Sequence, residues 1–237
     1  MILEYTLYPL FLVSILFSLY AQFKISSTYR RYSSFYTRAG KSATDVAGMI
    51  LSANGIYNVS IERTGGNLTD HFNPRTNTLA LSDTTCESTS AAAIGVAAHE
   101  AGHAVQHAVG YFPIKLRSKL VPVTNFASRL SWVFIMLGIA ATAFAYAGDY
   151  GYYALLFGIG LFAVTTLFQL VTLPCEFNAS KRAMKALRKS GYYTKDELHA
   201  ARQVLTAAAL TYIAATFASI VQLLRLLAIL NNRRDRR

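Results

Sequence analysis

The sequence predicts a mainly α-helical membrane protein in which a polar domain with a short β-sheet is combined with about four apolar helices. Three observations predict this. Apolar residues make up 53% of the 237-residue chain and charged residues only 15%, whereas soluble domains carry about a quarter charged residues. Long apolar runs recur at residues 8–23, 132–173 and 207–230. Basic residues flank these runs in the pattern of a positive-inside topology. A formal net charge of +11 would otherwise suggest nucleic acid. Its placement beside apolar runs points instead to a lipid bilayer and to no nucleic-acid partner.

Residues 2–23 read as an N-terminal transmembrane helix. The run from Tyr8 to Phe23, extendable to Ile2, lacks both a basic leader and a small-residue cleavage site, so a retained span fits better than a signal peptide. Lys24, Arg30, Arg31, Arg38 and Lys41 follow at once. They place the N-terminus outside and the next segment in the cytoplasm.

Residues 24–130 form the polar domain. Thr44–Asn54 has apolar residues at helical spacing, and Asn58–Glu62 and Thr76–Ser82 read as short strands. Between the strands lies a turn-rich stretch with Gly65-Gly66 and Asn73-Pro74. Ser88–Gly110 is alanine-rich and reads as one helix, with Ser88 or Ser90 near its N-cap and Gly110 at its end.

Residues 132–173 form a transmembrane hairpin, since a span needs about 20 residues. Asp149 is its only charge, and the expected turn is Ala147–Tyr150. The hairpin returns residues 174–206, a basic helical segment, to the side the chain left. Residues 207–230 form a last transmembrane or interfacial helix, which contains Arg225 and precedes Arg233, Arg234, Arg236 and Arg237. Four full spans would put this basic tail outside, against the charge rule. A helix that lies along the interface or turns back would resolve the conflict. Cys86 and Cys175 belong to no Cys-x-x-Cys or Cys/His pair and read as free thiols. The chain has no internal repeat.

The chemistry concentrates in His99-Glu100-Ala101-Gly102-His103. Residues i and i+4 of an α-helix are offset by about 40° around the axis, so both imidazoles can share one metal ion. Glu100 can then reach a water on that metal and take its proton as the water attacks a carbonyl. This is the zincin arrangement. Small neighbours (Ala97, Ala98, Ala101, Gly102, Ala104) let other elements approach this helix closely.

A catalytic zinc takes three protein ligands and keeps an open position. His107 lies about 12 Å along the helix from His99, too far to share one ion. Gln106 and Val109 stand where a metzincin has Gly and its third His. Glu176 is the better third ligand, because the hairpin returns it to the side of His99 and His103. It is expected to open a polar helix after Pro174. Ser180, one turn on, is suited to hydrogen-bond a ligand imidazole. Asn178 and His107 are further supporting candidates. Thr76–Ser82 reads as an edge strand able to pair with an extended peptide through Leu79, Ala80 and Leu81. His71, with Tyr111, is a candidate for polarising a developing oxyanion.

Three stretches carry a family resemblance: Leu68-Thr69-Asp70-His71-Phe72-Asn73-Pro74, then Val96-Ala97-Ala98-His99-Glu100-Ala101-Gly102-His103-Ala104, then Leu173-Pro174-Cys175-Glu176-Phe177-Asn178-Ala179-Ser180. Together they resemble the YugP-like neutral zinc metallopeptidases, small bacterial membrane proteins. The resemblance covers most of the chain. The plan is also similar to that of HtpX-type membrane proteases, which have an aspartate where this chain has Ser180.

The resemblance implies a zincin-like, gluzincin-type metallopeptidase domain in a bacterial cell membrane. It implies one Zn2+ per chain at His99, His103 and Glu176, with Glu100 catalytic. Peptides or membrane proteins are the substrates expected from a site beside the spans. Three rival readings stand beside this one. One is intramembrane cleavage, with the motif helix itself spanning the bilayer. Another is an inactive metal-binding scaffold, against which the intact Glu100 argues. The third is a transporter or channel, against which the few spans and a single intramembrane acidic residue, Asp149 at a turn, argue.

Overall fold

The computed structural model describes residues 2–141 and 149–234. Ala147 and Gly148 of the expected turn lie outside the described residues, as do Arg236, Arg237 and the side chains of Arg233 and Arg234. The elements are α1 (Ile2–Ser33), α2 (Ala43–Ala53), β1 (Ser60–Thr64), β2 (His71–Asn73), β3 (Thr78–Ser82), α3 (Ala91–Ala108), α4 (Phe112–Ala141), α5 (Tyr150–Ser190) and α6 (Lys195–Arg234). The fold is thus mainly helical with one small sheet. The chain divides into two compact units, one of residues 1–20, 116–173 and 212–237 and the other of residues 21–115 and 174–211.

In the first unit α4, α5 and α6 pack through an apolar cluster of Ile135, Leu155, Ile159, Leu226 and Leu230, with close backbone approach and a few polar contacts. Gly158 lets α5 pack against α4, since a Cβ there would lie 2.7 Å from the Ile135 backbone nitrogen. Thr166 and Ser219 share a hydroxyl hydrogen bond of 3.0 Å between α5 and α6. Arg225 lies over the ring of Phe11 at 4.4 Å and that of Tyr8 at 5.5 Å. Aromatic faces therefore accommodate the cation of an otherwise apolar run. Four helices, α1, α4, α5 and α6, are long and apolar enough to cross a membrane.

The second unit has a conventional hydrophobic core. Ser42 caps α2 and forms a reciprocal capping box with Asp45, which satisfies two helix-end donors at once. Val46, Ala47, Ile50 and Leu51 then face inward with Ile94, Ala97, Ala98, Ala101 and Val105 of α3. Ser90 is the N-cap of α3, accepting from the Ala93 amide, and Gly110 ends the turn after it at a φ of +69°. An amide–carbonyl bond from Ala91 to Phe35 ties the start of α3 to the chain beyond α1.

The sheet has the order β1-β3-β2, with β1 parallel and β2 antiparallel to β3. Residue 77 turns the chain from β2 into β3 at a φ of +52°, a conformation that asparagine tolerates better than most residues. β3 is therefore the central strand, which corrects its assignment as an edge. Thr78, Leu79 and Ala80 have partners on both sides. The side chains of Leu79 and Leu81 are fully buried in the core. The free edges belong to β1 and β2.

Two helices run further than their composition suggests. α5 continues unbroken through Pro174, so Glu176 lies inside a long helix and not at a helix start. α6 is one continuous helix, which removes the turning-back option for the last apolar run.

Candidate metal centre

The candidate metal centre lies within the second unit, where α3 meets the polar half of α5. Gly102 sets the distance between them. A Cβ at that position would lie 2.7 Å from the Ala179 carbonyl oxygen, so only glycine lets the two backbones come this close. The contact also fixes register. Gly102 follows His99 by three residues and precedes His103 by one. Ala179 follows Glu176 by three and precedes Ser180 by one. The same helical spacing on both sides brings Glu176 and Ser180 opposite the two histidines.

His99 Nε2 lies 3.1 Å, and His103 Nε2 3.6 Å, from Glu176 Oε2. One ligand atom from each of the three residues falls within 4.8 Å of the others. Ligand bonds of about 2.0–2.1 Å separate neighbouring tetrahedral donors by about 3.3 Å. The observed spacing therefore fits one zinc ion with little movement, and two nitrogens plus one carboxylate oxygen are a zinc donor set. His103 and Glu176 are buried, and His99 keeps a small exposed surface, which suits an ion that needs one open position.

Hydrogen bonds orient both imidazoles and select the tautomer of His103. The Ser180 hydroxyl lies 3.1 Å from His99 Nδ1. The side-chain nitrogen of Gln106 donates to the Cys175 carbonyl at 2.8 Å and to Asn178 Oδ1 at 3.0 Å. Both partners accept, so the Gln106 oxygen must be the atom 3.0 Å from His103 Nδ1. That oxygen can only accept, so Nδ1 carries the proton and Nε2 presents its lone pair. Arg182 donates to the same Asn178 oxygen at 2.8 Å and anchors the far end. Gln106 thus belongs to the candidate centre, a place that the sequence analysis did not give it. Nothing in the sequence marked it, since its partners Cys175 and Asn178 lie 69 and 72 residues away in the chain.

Glu100 Oε2 accepts from the Phe72 amide at 3.0 Å, which ties the carboxylate to the edge strand β2. Surrounding protein raises the Glu100 carboxyl above its ordinary value, against the pull of the His103 and His99 imidazoles. Among the supporting candidates, Ser180 and Asn178 join the centre directly or through Gln106. His107 instead packs on the ring of Phe72, 5.9 Å between centroids. His71 is exposed and pairs with the Thr69 carbonyl at 2.8 Å. The structure does not bring it to the metal ligands.

The family described as "Putative neutral zinc metallopeptidase" matches residues 7–231. The chain belongs to this family. One similar protein is the "Putative membrane protease YugP" of Bacillus subtilis (strain 168), 39% identical over 218 residues, which cover 92% of this chain and 93% of that protein. No solved structure matches. Membership of the family implies zinc, and the trio His99, His103 and Glu176 is where the fold can hold it. Together with four apolar helices, the relationship to a membrane protease makes this chain an integral membrane protein.

Proposed function

We propose that the protein is a membrane-anchored metalloendopeptidase, with His99, His103 and Glu176 as zinc ligands and Glu100 as general base and acid. The observation that carries this reading is the convergence of the three ligand atoms within 4.8 Å, with Glu100 next to the first of them in the chain. Zinc, when bound, supplies Lewis acidity to a carbonyl and makes a water easier to deprotonate near neutral pH. Glu100 takes the water proton on its carboxylate and delivers it to the leaving amine. The Phe72 amide holds Oε2 during this and leaves Oε1 for the proton. Gln106 keeps the His103 imidazole in the ligating tautomer, and the Ser180 hydroxyl is placed to accept from Nδ1 of His99 in the same tautomer. The β3 edge expected from sequence is closed to an extended peptide, because Leu79 and Ala80 already pair on both sides.

The site faces the cytoplasm in this reading, supported by the basic residues after α1 and in residues 181–202. Membrane or membrane-near proteins are the proposed substrates. The packing of α3 against α2, β2 and β3 favours a site outside the lipid over intramembrane cleavage.

The test is cleavage by detergent-purified protein. A chelator abolishes it, added zinc restores it, and Glu100→Gln lowers kcat by about a hundredfold to ten-thousandfold. Unchanged turnover in Glu100→Gln would remove the glutamate from the mechanism. Equal cleavage of soluble casein and of membrane substrates would remove the proposed substrate class.

A further inference from the structure

A groove of about 720 Å³ runs between the polar half of α5 and the first turns of α6, wholly within the second unit. Its volume falls in the range of about 300–1,000 Å³ usual for ligand sites. Five cations line it: Lys181, Lys185, Arg188, Lys189 and Arg202. No carboxylate lines it. Among the described residues none of the five is in a salt bridge. Three of them, Lys181, Lys185 and Arg202, lie nearest in the chain to the apolar runs. Phe177, Met184 and Leu205 supply an apolar wall between the cations. The zinc trio makes no use of this groove, although Ser180, which bonds His99, forms part of its wall.

The place of the groove along the chain identifies its occupant. Both of its helices are candidate membrane spans. Lys181 follows the end of the apolar run at Leu173 by eight residues, about 12 Å of helix. Arg202 precedes the next apolar run at Ala207 by five. Basic pockets between spanning helices at the cytoplasmic surface attract anionic headgroups. The apolar wall accepts the upper part of an acyl chain, which a simple topology-setting charge cluster does not require.

We propose that this groove binds one anionic phospholipid, its phosphate among Lys181, Lys185 and Arg202 and its proximal acyl carbons against Phe177 and Leu205. The structure gives an acidic peptide no comparable reason to need the apolar wall.

The test uses the full-length chain, delipidated in neutral detergent and titrated with short-chain phosphatidylglycerol or phosphatidylcholine. Native mass spectrometry counts the bound lipid. The expected result is one retained phosphatidylglycerol, preferred over phosphatidylcholine. Its affinity falls by about a hundredfold in the triple variant Lys181→Gln, Lys185→Gln, Arg202→Gln. It is unchanged in the control Lys24→Gln, Arg30→Gln, Arg31→Gln.

If the triple variant unfolds at a lower temperature in neutral detergent, Arg202→Gln alone is read instead, with an expected loss of about fivefold. Equal losses in the groove and control variants would overturn the proposal, as would no preference between the two lipids. Competition by glycerol phosphate at the lipid's own affinity would assign the groove to a soluble phosphate. Displacement by an acidic peptide but not by lipid would assign it to a protein partner. Either result would overturn the lipid assignment.

Discussion

At the scale of single residues, the centre depends on which ring nitrogen of each histidine is protonated. Gln106 decides this for His103, because its amide is fixed at the other end by Cys175 and Asn178. Gln106→Leu is expected to weaken zinc binding by about 10–100-fold, the usual loss when a ligand's hydrogen-bond partner is removed. Competition with a chromogenic chelator measures it. An unchanged affinity would mean that His103 is oriented by packing alone. The motif histidines and Glu100 were legible in the sequence because a five-residue spacing on one helix already defines their geometry. Glu176 was legible only through topology. Gln106 and the Phe72 amide were not, since their roles arise from contacts between elements far apart in the chain.

At the scale of elements, one missing side chain sets the approach of α3 to α5. Gly102→Ala would push a methyl group into the Ala179 carbonyl oxygen. Overpacking of this kind costs about 1–3 kcal/mol. Thermal unfolding should register that loss together with weaker zinc binding. A variant that loses stability but keeps full metal affinity would separate the glycine from the site.

The capping box of α2 carries a pH signature. Backbone and side-chain hydrogen bonds from Ser42 hold the Asp45 carboxyl below its ordinary value of 3.8. A lowered value means that the box stabilises the fold fully above that pH and is lost as pH falls through the folded value. Parent and Asp45→Asn should therefore differ in unfolding temperature near neutrality and converge in acid. Ser42→Ala should cost about 1 kcal/mol.

The alanine-rich α3 and the amphipathic α2 were legible from periodicity and caps. β2 was not, because three residues are too few for a pattern and its place is set by pairing with β3. Pro174 suggested a helix boundary, but α5 runs through it.

At the scale of the whole molecule, apolar runs and flanking charge revealed a membrane protein with four candidate spans. Arg225 lies within the last one. Its guanidinium lies over Tyr8 and Phe11, a contact no sequence window reveals. The proposed topology puts Tyr57 and Tyr192, which are 82% and 51% exposed, on the cytoplasmic side. Tyr57→Cys and Tyr192→Cys should react with an impermeant thiol reagent in inverted vesicles and resist it in intact cells. The reverse pattern would turn the site outward. Cys86 and Cys175 are buried and should stay silent in both.

The most direct test of the metal centre is the zinc content of purified parent protein beside His103→Ala and Glu176→Ala. The geometry predicts one zinc per chain in the parent and its loss from both variants, with each variant still folded. Zinc retained at full occupancy in Glu176→Ala would contradict the three-ligand centre, and a folded parent that takes up no zinc would contradict it outright.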